Sequence, residues 1–254
     1  MRVVYGVNPV RDLLRGGGEG VSELWLARGG SRAAAFGELQ RLGREAGAKV
    51  REAPREKLGR LAGTDRHQGV VAVVTDYRYA ELDEVLASPA GTAPLVVVLD
   101  GVEDPHHLGA VARSSLALGA SGVVIPRDRA VGVTPAVAKA SAGAVERCRI
   151  ARVVNVAKAL EALGERGLWS VALSADGERP LEQVDLVGPV ALVLGGEGEG
   201  IRPLVRRTCD FSARIPMKGA MESLSVSASA AVALYEAARQ RAGGRPETHG
   251  DLPT

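Results

Sequence analysis

Apolar positions in this chain alternate between a two-residue and a 3.6-residue period, and the alternation sets out the elements. In the first third, Val3–Tyr5, Glu23–Ala27, Ala48–Glu52 and Gly69–Thr75 read as strands. The last is a continuous GVVAVVT run, suited to burial on both faces. Between them Asn8–Arg15, Arg32–Ala46 and Pro54–Leu61 read as helices. Asn8 is the expected N-cap of the first, with Pro9 in the first helical position. Tyr79–Pro94 interrupts the pattern: a short helical piece, Leu82–Ala87, precedes Ser-Pro-Ala-Gly-Thr-Ala-Pro, which reads as a connector.

Beyond Pro94 the strands change character. Leu95–Leu99, Gly122–Ile125, Trp169–Leu173 and Val190–Leu194 are apolar almost throughout, which predicts a parallel sheet covered on both faces. Arg214–Ile215 is a further short strand. Leu108–Leu118, Pro135–Ser141, Ala157–Arg166 and Leu224–Gln240 read as helices. The expected organisation is a small α/β domain over 1–78, a linker over 79–93, a larger α/β domain over 94–242, and a disordered tail over 243–254.

Charge separates the two domains. Residues 1–79 hold 14 Lys+Arg against 9 Asp+Glu, so the basic excess lies where an anionic partner docks most naturally. Aromatic residues make up only 3% of the chain, so nucleic-acid recognition here must lean on charge and shape more than on base stacking. Cys148 and Cys209 stand far apart without metal-ligand spacing. The adjacent His106 and His107 lack a partner ligand at metal spacing, so no metal is expected. MRVVYGVNPV has no signal-peptide core and no run of 18 apolar residues occurs, so the expected location is the cytoplasm, without membrane attachment.

Three segments carry candidate chemistry. Leu99-Asp-Gly-Val-Glu-Asp-Pro-His-His-Leu-Gly-Ala-Val-Ala-Arg113 runs from a strand end into a helix, where ligands gather in open α/β sheets. Leu194-Gly-Gly-Glu-Gly-Glu-Gly200 permits close backbone approach, and Gly195, Gly196 and Gly198 suit a loop that wraps a small molecule. Ile201 stands where a dinucleotide fingerprint needs its third glycine, and no Gly-Lys-Ser/Thr follows, which argues against a nucleotide-binding oxidoreductase and a P-loop. Two acidic side chains there favour a cationic ligand. Ile215-Pro-Met-Lys-Gly-Ala-Met-Glu-Ser-Leu-Ser-Val-Ser227 leads into the last helix, with Ser223, Ser225 and Ser227 near free N–H donors.

In this order and at these separations, the three segments resemble the signature motifs of the SpoU (TrmH-type) family of RNA 2′-O-ribose methyltransferases. Tyr5-Gly-Val-Asn-Pro-Val and Arg66-His-Gln-Gly-Val resemble the ends of the substrate domain of its bacterial 23S rRNA guanosine members. The resemblance implies a SPOUT fold: a trefoil-knotted, parallel-sheet methyltransferase domain behind an L30e-like α/β domain that grips rRNA. It implies bound S-adenosylmethionine and a homodimer whose active site draws on both subunits. It places cofactor contacts on Gly195, Ile215 and Leu224, with Gly196, Gly198 and Met217 beside them. Catalytic or site-shaping roles fall on Arg113, Glu197 and Ser223. Arg113 is expected to stabilise the developing alkoxide, because a neutral guanidine is costly. Glu197 is expected to orient Arg113 or balance the sulfonium, and Ser223 to bond the cofactor or cap the last helix.

Two positions depart from the family pattern. His107 stands where the first motif has Asn, and Ser225 where the third has Asn. His107 is open to three readings: a general base, since imidazole titrates near about 6.5; a hydrogen-bonding substitute for Asn; or, with Ser225, the mark of a weakened enzyme that only binds RNA. The same chemistry on tRNA or another rRNA site, including antibiotic-resistance methylation, is the alternative to a 23S rRNA guanosine.

Overall fold

The computed structural model describes residues 2–18, 20–28, 33–75, 77–89, 91–219, 221 and 223–243, so the expected tail lies, from residue 244 on, outside the described residues. The chain divides into two compact units: 1–79 with 104–113 and 131–149, and 80–103 with 114–130 and 150–254.

The first unit holds a four-stranded sheet. Its strands are β1 (Arg2–Tyr5), β2 (Val21–Ala27), β3 (Lys49–Ala53) and β4 (Val70–Val74), in the order β1-β4-β2-β3. β4 runs antiparallel to both neighbours, while β2 and β3 are parallel. Helices α1 (Val7–Arg15), α2 (Ala33–Glu45) and α3 (Arg55–Ala62) accompany them. Trp25 pairs with Arg51 and Ala27 with Ala53, and paired residues share a face. On that face Trp25, Ala27, Ala53, Val71 and Val73 pack with Leu58 of α3. The opposite face, carrying Leu24 and Val50, meets α2 at Gly43, where an added Cβ would lie 2.7 Å from Leu24.

α1 starts one residue before Asn8, so Asn8 is not its cap. Gly6 takes that position at φ 98°, and the Val7 N–H donates to Gln68 Oε1 at 3.0 Å. A cap supplied from 61 residues away is invisible to local sequence rules. Gln68 belongs to a tight corner: its φ is 56°, and the neighbouring His67, fully buried, accepts from the Gly69 N–H through Nδ1 at 3.0 Å.

Two further helices contribute to this unit: the start of α4 (Pro105–Ala117), and α5 (Pro135–Ala140). They meet at Gly109, where an added Cβ would stand 2.6 Å from the Ala140 Cβ. Arg2 grips Glu146 with two hydrogen bonds of 2.7 and 2.9 Å, both side chains at least nine-tenths buried. Tyr77 Oη lies 3.1 Å from the Cys148 carbonyl, and the Val133 N–H donates to Tyr79 Oη at 2.9 Å. Burial pushes the Tyr77 phenol far above its ordinary range and the Cys148 thiol up to about 12.

The second unit is a seven-stranded sheet of β5 (Leu95–Asp100), β6 (Gly122–Pro126), β7 (Ile150–Val153), β8 (Trp169–Leu173), β9 (Arg179–Pro180), β10 (Val190–Gly195) and β11 (Phe211–Arg214). The order is β7-β6-β5-β10-β8-β11-β9 and every pairing is parallel, as the apolar runs predicted. Helices α6 (Val156–Glu165), α7 (Pro203–Thr208) and α8 (Val226–Arg241) complete it. β7 and α7 were not anticipated: one is four residues long and the other six, too short for a clear period.

The stretch read as a linker is built into this unit. Ala80 bridges to Ala151, and Val85 is fully buried in a cluster with Val96, Val124 and Leu160. Its polar and Pro-rich composition concealed the apolar anchor Val85, beside which Ala80, Leu82 and Leu86 pack against the same core. β11 ends at Arg214, where Arg214–Ile215 had been expected, because its pairing with β9 stops there.

Candidate functional site

The chain leaves β5 toward β6 and β7 on one side of the sheet, while β10 begins the other side. The carboxyl ends of β5 and β10 therefore flank a topological switch point, the usual ligand crevice of such sheets. Gly195 closes β10 opposite Asp100 of β5. A Cβ on Gly195 would fall 2.0 Å from the Gly200 carbonyl carbon, and one on Gly196 would fall 2.1 Å from the Gly101 oxygen. Only glycine allows the chain to pass between these backbones. The Gly196 N–H donates to the Asp100 carbonyl at 2.8 Å, and Gly200 N–H returns to the Gly196 carbonyl at 3.2 Å, closing the loop on itself. Gly198 adopts a φ of 88°.

The loop is also held from its far end. The fully buried Asp100 carboxylate accepts from the Arg202 backbone N–H at 2.9 Å and from Arg202 Nε at 2.8 Å, with a third bond from Nη2. The Asp100 hydrogen bond raises the Arg202 guanidinium further above its ordinary range. Neither residue was singled out from the sequence. The available signal was a carboxylate ending a wholly apolar strand.

Beside this loop opens a cavity of about 920 Å³. Its walls are the end of β8 (Leu173, Ser174), the loop from Leu194 to Ile201, the end of β11 with Ile215 to Met217, and Ser223 to Val226. All six candidate binding residues, Gly195, Gly196, Gly198, Ile215, Met217 and Leu224, line it together with Glu197, Ser223 and Ser225. Its surface mixes main-chain groups, aliphatic side chains and the carboxylates of Glu197 and Glu199. The guanidinium of Arg214 is engaged by the Gly177 and Glu178 carbonyls at 2.8 and 2.9 Å.

Of the serines, Ser225 caps α8: its Oγ accepts from the Ala228 N–H at 3.4 Å. The helix consequently starts at Val226 and not at Leu224, and Ser223 stands two residues outside the capping position. His107 and Arg113 lie on α4, in the first unit, and are not among the residues lining the cavity. Asp104 leads that helix, accepting from the His106 N–H through Oδ1 at 2.7 Å and from the His107 N–H through its carbonyl at 3.1 Å. His107 is half-buried and Arg113 exposed. Among the described residues no three His, Cys, Asp or Glu side chains group as metal ligands, and no helix is long and apolar enough to cross a membrane.

Residues 94–235 match the SpoU rRNA Methylase family, and residues 3–80 match the family described as RNA 2′-O ribose methyltransferase substrate binding. The 23S rRNA (guanosine-2′-O-)-methyltransferase RlmB of Ralstonia nicotianae is 42% identical over 241 residues, covering 94% of this chain and 96% of that protein. RlmB of Pseudomonas putida is 41% identical over 241 residues, with the same coverage. Among solved structures, the SpoU methyltransferase AviRb from Streptomyces viridochromogenes in complex with the cofactor AdoMet superposes with a TM-score of 0.82 at 27% identity, covering 96% of this chain and 91% of that one.

Proposed function

The chain belongs to the SpoU rRNA Methylase family, and from that premise we propose that it methylates the ribose 2′-oxygen of a guanosine in 23S rRNA. It is an S-adenosylmethionine-dependent RNA 2′-O-ribose methyltransferase with a SPOUT-fold catalytic domain and an N-terminal substrate-binding domain. The observation that carries the reading is the convergence of the second and third motif segments on one cavity at the carboxyl end of the parallel sheet. The trefoil knot, the boundaries 1–78 and 94–242, a cytoplasmic location and a homodimer sharing its active sites are part of the same proposal.

The residues present fit the cofactor. The cavity lies within the roughly 300–1,000 Å³ of small-molecule sites. Leu173, Ile201, Ile215 and Leu224 offer apolar walls for a flat base, the glycine loop offers main-chain partners, and Glu197 and Glu199 offer negative charge to a cationic centre. S-adenosylmethionine supplies a methyl group already activated on a sulfonium, so no metal is required.

The protein's task is to position the 2′-hydroxyl and stabilise the charge it develops. Positioning contributes up to roughly 7–11 kcal/mol in well-oriented systems. Arg113 holds the developing alkoxide and the adjacent phosphate, Glu197 balances cationic charge, and Ser223 bonds the cofactor. His107 replaces Asn as a hydrogen-bonding group. Ser225 supports an active enzyme: serine and asparagine are comparable N-caps, so the exchange keeps the start of α8 in place. The test is methyl transfer from S-adenosylmethionine to 23S rRNA transcripts, with the modified nucleotide mapped. The expected product is one 2′-O-methylguanosine; methylation of tRNA alone, or none, overturns the assignment. His107→Asn is expected to leave the rate within a few-fold, whereas a base role would lower it and tie activity to the imidazole's titration.

A further inference from the structure

We propose that the β3–α3 face of the first unit is where RNA phosphates dock, an inference that rests on reading the protein as an RNA methyltransferase. The four-stranded sheet has two faces with cations on both, but they are compensated differently. On the α1–α2 side, Arg11 and Arg15 both bond Glu38, at 3.1 and 2.7 Å, and Arg41 bonds Glu45 at 2.6 Å. Those guanidiniums hold the Glu38 carboxyl below its ordinary range, the bond from Arg15 contributing most. Three of the four arginines on these two helices are thus matched by carboxylates, leaving Arg44.

The β3–α3 side is the reverse. Lys49, Arg55, Lys57, Arg60 and Arg66 are exposed and make no ion pair among the described residues; Arg51 shares Glu23 at 3.2 Å. Glu56 and Asp65 are the exposed acids of this stretch, while Glu52 points to the α2 side and accepts from Gln40.

Aromatic rings order Lys57 and Lys139 on this face, and Arg51 is held by Trp25 together with the Glu23 carboxylate. The Lys57 ammonium sits 4.2 Å and the Arg51 guanidinium 5.4 Å from the centre of the Trp25 ring, and Lys139 of α5 sits 5.5 Å from that of Tyr5. Such contacts fix a cation's position without neutralising it, so less side-chain freedom is lost when an anion binds. Trp25 is only 8% exposed beneath them, which removes it as a stacking platform for bases. The face therefore reads the sugar–phosphate backbone and supplies affinity independent of sequence.

The experiment compares three double variants of the full chain for binding to a 23S rRNA transcript across a salt series. Lys49→Gln with Lys57→Gln, and Arg55→Gln with Arg60→Gln, are each expected to weaken binding about tenfold or more and to reduce the slope of log K against log salt by roughly 2. Arg15→Gln with Arg41→Gln is expected to change binding less than about twofold, since those cations are already paired. Lys57→Arg should bind like the parent, and this checks that the loss reflects charge and not folding. Trp25 adds a local reporter: with Trp169→Phe it is the sole tryptophan, and saturating RNA should alter its emission. Parent-like binding by both β3–α3 variants, an equal loss in the α1–α2 variant, or unchanged Trp25 emission overturns the proposal. If the parent methylates the transcript while the β3–α3 variants bind normally, the surface fails alone. If the parent binds through this face without transferring methyl groups, the functional reading fails and the surface stands.

Discussion

The cavity beside β10 and the β3–α3 face recognise charge by opposite means. The cavity loop is made of glycines wedged between backbones, with Gly195 and Gly196 leaving no room for a side chain. Its shape is set by main-chain hydrogen bonds and by the buried Asp100–Arg202 contact. The β3–α3 face is made of long exposed side chains, two of which rest on the Trp25 ring. A small ligand that must be aligned to a fraction of an ångström needs the first construction; a polyanion bound at many points tolerates the second. Damage to the cavity should be abrupt, and damage to the face graded.

The largest effect is expected at Gly195. Gly195→Val forces side-chain carbons into the Gly200 backbone, and displacement of the loop by about 1 Å should cost methyl transfer roughly 100-fold or more. Calorimetric titration with S-adenosylmethionine checks it; near-normal cofactor affinity would show that the loop is less constrained than its geometry requires. Next is Asp100→Ala, which strands the Arg202 guanidinium and the Arg202 backbone N–H. Urea unfolding should lose about 3 kcal/mol, the low end for a broken buried pair, because Arg202 is 40% exposed.

A third effect belongs to the first unit alone. His67 is fully buried, its Nδ1 already accepts the Gly69 N–H, and its Nε2 lacks a partner among the described residues. Burial, with Arg55 adding to it, pulls its pKa below the ordinary value of 6.5. The folded state thus resists protonation that the unfolded chain accepts. The stabilisation is full above pH 6.5 and declines as pH falls, by at most about 1.4 kcal/mol per unit, until folded His67 itself takes a proton. Unfolding midpoints between pH 7.5 and 5 should fall more steeply for the parent than for His67→Gln; parallel curves would remove His67 from the account.

The smallest effect is at Ser225. With a long 3.4 Å capping bond, Ser225→Ala should cost only about 0.5 kcal/mol, and Ser225→Asn close to nothing, by thermal unfolding. A parent that gains rate from Ser225→Asn would show that the family's asparagine does more there than start α8.

How far the site was legible depended on how locally each feature is encoded. The parallel sheet followed from unbroken apolar strands, and the tight loop at Gly195–Gly200 from its glycines. Asn8 meets every local criterion for the cap of α1, but the partner comes from Gln68, which leads into the neighbouring strand β4 and lies 61 residues away. The stretch from Ala80 onward read as a tether because the breakers of 88–94 outweigh the short run Leu82–Ala87 that holds the buried Val85. Asp100 drew no role, since a carboxylate at a strand end is unremarkable until Arg202 is seen against it.

The amino-acid sequence by itself determined most of the elements, the parallel sheet of the second half, the loop at Gly195–Gly200 and the family, because periodicity, glycine content and ordered motifs are properties of neighbours along the chain. Tertiary structure decided what caps α1, which carboxylate anchors the Gly195–Gly200 loop and which cations of the first unit remain uncompensated. Those outcomes hinge on partners tens of residues away, whose distances only the folded chain sets.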